Sequence, residues 1–145
     1  MIMEKDEKTR QIQEKYLMLQ QLRNESETIQ KKILEIELAR SELDNTIESL
    51  EYFESLDGTV EALMNLGGGV FAYVDVKESK KMLVDIGAGV IVEKEVKEAI
   101  DTLNKRKDKM QNTVSKLEEM LDTIVTRAEK LQSELIELSS ESGEE

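Results

Sequence analysis

Two glycine triplets are the first residues whose types and spacing suggest chemistry. Gly67-Gly68-Gly69 and Gly87-Ala88-Gly89 both carry a G-x-G pattern, and backbone amides around such glycines can cradle a phosphate. A phosphate loop, however, opens a helix and carries a Lys or Ser/Thr at fixed spacing. Both triplets here run into apolar strand-forming residues instead, so they read as tight turns. The second reservoir of chemistry is the 32 Asp and Glu residues. The chain has no His and no Cys, which removes the commonest general base, the commonest metal ligand, disulfides and thiolate sites. Catalysis would need a carboxylate or Lys set in a pocket, and nothing in the pattern builds one. The expectation is no enzyme, no cofactor and no metal, with the acidic residues read as solvated faces.

The triplets belong to a repeat. NLGGGVFAYVDV is followed twenty residues later by DIGAGVIVEKEV, matching Gly67 to Gly87, Gly69 to Gly89, Val70 to Val90 and Val76 to Val96. Val60–Leu66 pairs with Val70–Val76 and Met82–Ile86 with Val90–Glu95, giving two β-hairpins whose glycines permit positive φ. Lys77–Lys81 is read as a polar, flexible connector. In the second strand Val70, Ala72 and Val74 face one way, with Phe71 and Tyr73 facing the other. Val90, Ile91 and Val92 make the fourth strand apolar on both faces. A half-exposed sheet would alternate cleanly. Isolated hairpins are marginal in water, and open strand edges invite pairing. Leu66, Gly67, Gly69, Val70, Phe71, Tyr73, Val74, Ile86, Gly87, Gly89, Val90, Ile91 and Val92 are therefore assigned to oligomerisation, with hairpins of several chains sharing one β body.

Long helices must flank this centre. Heptads laid from Ile12 place Ile12, Leu19, Ser26, Ile33, Arg40 and Ile47 at a, and Lys15, Leu22, Ile29, Ile36, Leu43 and Leu50 at d. After the hairpins, Ile100, Lys107, Val114, Leu121, Ala128 and Leu135 occupy a, and Leu103, Met110, Leu117, Ile124, Leu131 and Leu138 occupy d. Such narrow stripes are coiled-coil seams. An arm of about 50 residues is roughly 75 Å long. The economical pairing is an intramolecular antiparallel coil with Leu50 near Ile100–Leu103 and Ile12 and Leu19 opposite Leu131–Leu138. Ser26 and Arg40 read as register control and weaker local packing. The expected organisation is an α+β fold: helix 1–57, two hairpins 58–95, helix 96–139 and a disordered acidic tail 140–145.

At the far end of the coil, apolar residues leave the seam. Tyr16-Leu17-Met18-Leu19 wraps around the helix, and Ile136 lies off the line of Leu135 and Leu138. Met1, Ile2 and Met3 add soft surface. Either the coil end frays with extra packing, or it offers a loose apolar patch to partners of no fixed shape. On the second reading Ile12, Tyr16, Leu17, Met18, Leu131, Leu135, Ile136 and Leu138 form the contact surface.

Composition sets the outer bounds. Charged residues are 36% and aromatics 3%, with no Pro or Trp, which suits long helices better than a thick core. Disorder fails as an explanation because the apolar residues are periodic. A net charge of −12 and the lack of a basic stripe argue against nucleic acid. No apolar run reaches the ~20 residues needed to span a bilayer, and the N-terminus shows no signal-peptide core. The default is a cytoplasmic protein without nucleic-acid or membrane partners.

A helical arm, two hairpins carrying LGGGVFAYVDV and VDIGAGVIVEKEVKEAI, and a returning arm resemble the alpha-type subunits of the prefoldin family, most like the archaeal form. The resemblance covers roughly Asp6–Leu138, and the doubled hairpin carries it, since beta-type subunits have one. It implies a chaperone hexamer of two alpha and four beta subunits. The hairpins would build a double β-barrel platform, and the coiled coils would hang from it. It also implies that non-native clients are held at the distal tips and passed to a group II chaperonin without ATP. Alpha-like paralogues that build filaments supply the alternative, a structural coiled-coil protein.

Overall fold

The computed structural model describes residues 2–143, and the side chains of 4–141. The element order is α1 (Ile2–Ser55), β1 (Val60–Gly67), β2 (Val70–Val76), β3 (Lys81–Gly87), β4 (Val90–Glu95) and α2 (Val96–Gly143). The chain divides into two compact units, Leu38–Met110, and Met1–Glu37 with Gln111–Glu145. With no proline anywhere in the chain, neither helix loses a backbone hydrogen bond to that cause.

In the unit Leu38–Met110, β1 pairs with β2 and β3 with β4, both antiparallel, as two separate two-stranded sheets. The connections Gly68-Gly69 and Ala88-Gly89 have positive φ at both residues (60° and 80°; 51° and 76°), as the type I′ hairpin turn requires. In each hairpin the register shifts just before the turn, between Asn65 and Gly67 and between Asp85 and Gly87. The Gly67 N–H donates to Asn65 Oδ1 and the Gly87 N–H to Asp85 Oδ1, each at 2.8 Å. The repeat is thus a repeat of side-chain hydrogen bonding as well as of glycines, and it turns Leu66 and Ile86 outward.

The core of this unit is Ile47, Leu50, Val96, Ala99 and Leu103, with Leu43, Met82, Val84 and Ile100 packed against it. Burial comes from a and d residues of both helices, from Ala99 one position before Ile100, and from one face of the second hairpin. The link between the hairpins departs from the sequence expectation. Ser79 is only 2% exposed, its hydroxyl donating to Leu56 O at 3.4 Å. The Lys80 ammonium donates to Glu54 O. Far from flexible, the connector is tied to the end of α1, because that end presents carbonyls with no helical partner.

In the unit Met1–Glu37 with Gln111–Glu145, Leu19, Leu22 and Leu131 form a core flanked by Ile124, Ala128 and Leu135, and Val114 is 1% exposed. Every a and d position named above is buried or half-buried in α1 and in α2, including the polar Ser26, Arg40 and Lys107. The second helix runs on to Gly143, past the boundary expected at 139. Ser140 and Glu141 carry no helix-breaking side chain, so nothing in them ends the helix at the expected boundary. The expected tail residues Glu144 and Glu145, and the expected surface of Met1, Ile2 and Met3, lie outside the described side chains.

Among the described residues Ala88 is the non-glycine with positive φ, where a Cβ costs about 1 kcal/mol. Ala88→Gly should raise hairpin stability by about that amount, and Gly68→Ala, at φ +60° with open space around it, should lower it equally. The shift in urea midpoint of the two variants measures both.

Candidate functional site

In the unit Met1–Glu37 with Gln111–Glu145 the seam and the off-seam apolar residues separate cleanly. Heptad spacing turns Leu19, Leu22 and Leu131 inward, and Leu131 is 8% exposed. It is a core residue holding the two helices, not a contact residue, which corrects its assignment to the tip surface. Ile12, Leu135 and Leu138 are half-buried along the same seam. Tyr16, Leu17, Met18 and Ile136 are the exposed members, at 52%, 64%, 41% and 63%. The eight tip residues therefore sort into four that are offered to solvent and four that build the seam.

Lys15 stands at a d position, where its Nζ donates to Glu134 Oε2 at 2.8 Å, both side chains being about one-third exposed. One heptad outward, Lys8 Nζ lies 3.6 Å from Glu141 Oε2. Beyond Leu19 the interhelical contacts thus include ion pairs. The signal was visible as Lys8 and Lys15 seven apart and Glu134 and Glu141 seven apart, but only an antiparallel register pairs the two sets. The hydrogen bond from Lys15 holds the Glu134 carboxyl below its usual range against the opposing effect of desolvation, with the Lys15 and Lys130 charges adding to the lowering.

Just inward, Ser26 and Ala128 are too small to fill their layer, and an open groove of about 290 Å³ remains beside Leu19, Leu22 and Ile124, rimmed by Arg23, Glu27, Glu129 and Gln132. Ser26, expected to control register, also loosens packing. Met120 and Val125, next to the seam line, are exposed nearby.

The hairpin residues form a second surface. Leu66, Val70, Phe71, Tyr73, Ile86, Val90 and Ile91 are exposed. Leu63 sits opposite Tyr73 and Asn65 opposite Phe71, so the outer face of the first hairpin carries an apolar row between Asn65 and the acidic pair Glu61–Asp75. Val74 and Val92 face the other way and are half-buried, and Val92 is opposite Val84, which packs on the helical core. Met82 and Val84 seat the second hairpin on the helical core, whereas the exposed residues of the opposite face are left for other contacts. Gly67, Gly69, Gly87 and Gly89 all have positive φ and serve the turns and bulges. Among the described residues no cluster of acidic side chains is arranged to hold a metal, and no helix is long and apolar enough to cross a membrane.

Comparison with known proteins places this geometry. A family model described as Prefoldin subunit matches residues 22–141, a span that begins after Tyr16, Leu17 and Met18. The chain is 55% identical over 108 residues to prefoldin subunit alpha of Archaeoglobus fulgidus, covering 74% of this chain and 79% of that one. It is 33% identical over 103 residues to prefoldin subunit alpha of Thermofilum pendens, covering 71% and 78%. Among solved structures it is similar to the cryo-EM structure of filamentous PFD from Methanocaldococcus jannaschii, with a TM-score of 0.73 and 18% identity over 82% of this chain and 98% of that one. That likeness concerns the fold alone.

Three outcomes are expected of this unit. Leu131→Ala should destabilise it by about 2–5 kcal/mol, whereas Ile136→Ser should cost no more than about 0.5 kcal/mol, as read by chemical denaturation. A carboxyl lowered in the folded state contributes stability above its usual range, and that contribution is lost as pH falls through the lowered value. Glu134→Gln should therefore flatten the acid limb of a thermal-stability profile while changing little in its shape near neutrality.

Proposed function

The chain belongs to the prefoldin family, with the archaeal alpha subunits, and we propose that it captures non-native polypeptides through Tyr16, Leu17, Met18 and Ile136. As a prefoldin-type chaperone subunit it works by binding rather than by chemistry. The observation that carries the site assignment is the exposure of those four side chains over a seam that stays closed beneath them at Leu19, Leu22 and Leu131. A non-native client exposes apolar segments, and contact with the patch removes both surfaces from water.

Magnitudes decide how such a patch must be used. Full burial of a Leu-sized side chain is worth about 1.5–3 kcal/mol, and association costs ~4–15 kcal/mol in lost freedom. One patch of four side chains is therefore a weak binder. Several patches joined in one particle gain affinity through effective concentration while each contact still releases by itself, which suits hand-over to a group II chaperonin without ATP. The particle in this reading is a cytoplasmic hexamer of two alpha and four beta subunits. Its platform is built where the exposed hairpin residues Leu63, Leu66, Phe71, Tyr73 and Ile91 meet the strands of other subunits. Covering their apolar faces and edges removes the instability of lone hairpins.

A variant with Ser at positions 16, 17, 18 and 136 tests the capture site. Mixed with a beta-type subunit it should give a particle of unchanged mass by native mass measurement, yet lose the suppression of client aggregation. Equal protection by the variant would remove these residues from the binding surface. The same measurement reads the architecture: closed hexamers support the chaperone particle, and indefinite polymers favour a structural, filament-forming role.

A further inference from the structure

We propose that Lys80 is a positioning residue for client capture: with Ser79 it clamps the end of α1 to the start of α2 and fixes the direction in which the helices leave the hairpins. The last turn of α1 contains no basic residue, so nothing within the helix complements the negative end of its dipole. Two of its terminal carbonyls find local partners. Tyr52 O accepts from the Ser55 hydroxyl at 2.6 Å, and Phe53 O accepts from the Leu56 N–H at 3.2 Å. The next acceptors are met from the connector, 26 and 23 residues further along the chain: Glu54 O by the Lys80 ammonium and Leu56 O by the Ser79 hydroxyl. The Lys80 ammonium also lies 4.0 Å from the Asp57 carboxylate.

The other side of Lys80 holds α2. Its carbonyl accepts from the Val96 N–H at 2.9 Å, the first residue of that helix, and Lys97 reaches the Glu54 carboxylate at 3.6 Å. Val96 and Ala99 are 2% and 1% exposed. One residue thereby joins the end of one helix to the beginning of the other. Chain continuity alone cannot do this for α1. It enters β1 through Leu56–Thr59, which includes Gly58 at φ +76°, a link that sets no direction by itself, so the helix end is held by the packing of Ile47 and Leu50 and by the clamp. β4, by contrast, passes into α2 with no intervening loop. A binder that depends on several weak sites loses affinity when their mutual geometry is no longer held, so the clamp belongs to capture as well as to folding.

This inference rests on the chaperone reading, and the test separates the two. The chain has no cysteine, so spin labels at Glu48→Cys and Glu93→Cys, both exposed positions, report helix against hairpin in the full-length chain. One narrow distance distribution is expected for the parent, a distribution several-fold broader for Lys80→Met, and a narrow one again for Lys80→Arg, whose guanidinium can still donate to the helix-end carbonyls. Helix content by circular dichroism should be equal in all three. In particles assembled with a beta-type subunit, Lys80→Met should need several-fold more particle for the same client protection at unchanged particle mass, and Lys80→Arg should restore it. Should Lys80→Met prevent folding, Ser79→Ala removes one of the two connector bonds and should give a smaller broadening. A distribution that stays narrow in the Met variant, or in Ser79→Ala where that variant stands in, overturns the clamp whatever the client assay gives. A parent particle that protects no client overturns the chaperone reading and leaves the distance result standing.

Discussion

A two-helix coil has no interior beyond its seam. Each helix buries one narrow stripe against the other, and any apolar residue off that stripe remains in water. This constraint accounts for most of what is distinctive in the structure. The seam residues from Ile12 to Leu50 and from Ile100 to Leu138 are covered, while Tyr16, Leu17, Met18 and Ile136 are not. The same shortage of covering layers acts on the hairpins. One face of the second hairpin finds shelter through Met82 and Val84 on the helical core, and its other face shows Leu83 and Ile91 to solvent. Exposure at both places follows from architecture, with no need for locally unusual sequence.

The two exposed surfaces differ in kind, which is why we propose the one for assembly and the other for capture. Hairpin residues sit in a fixed register, with open strand edges and rows of side chains at set spacing, a surface that matches another ordered β structure. The distal residues sit on the sides of helices and include a flexible Met and an amphipathic Tyr, a surface with little shape to match. Ion pairs at Lys15–Glu134 and Lys8–Glu141 stand beside the half-buried Ile12, Leu135 and Leu138. Exposed pairs of this kind contribute little to stability, so the apolar seam residues hold this end of the coil.

The chain belongs to the prefoldin family, and its two hairpins use one turn chemistry twice. Asn65 and Asp85 make equivalent bonds to Gly67 and Gly87, although one is an amide and the other a carboxylate, because only the acceptor oxygen is used. At the next position the repeat diverges: Gly68 turns without strain, and Ala88 holds the same left-handed conformation with a Cβ in place.

How much of this was legible beforehand depends on the range of the interaction. Helix and strand placement, the antiparallel pairing and the outward Tyr16, Leu17, Met18 and Ile136 all follow from periods of 3.5 and 2 that each segment carries within itself. The same period, applied strictly, marks Leu131 as a seam residue. The connector was misjudged for the opposite reason. Lys77–Lys81 has the composition of a flexible link, and nothing local distinguishes Ser79 from any exposed serine. Its burial and the role of Lys80 depend on carbonyls at Glu54 and Leu56 that only folding brings near. Likewise, the partner of Lys15 lies 119 residues away and is selected by the register of two helices. By itself, then, the sequence determined the elements, their faces and the kind of surface each leaves over, since those are properties of periodic apolar patterns. The polar contacts that position the elements were decided by the tertiary structure, because a hydrogen bond depends on where two distant groups come to rest.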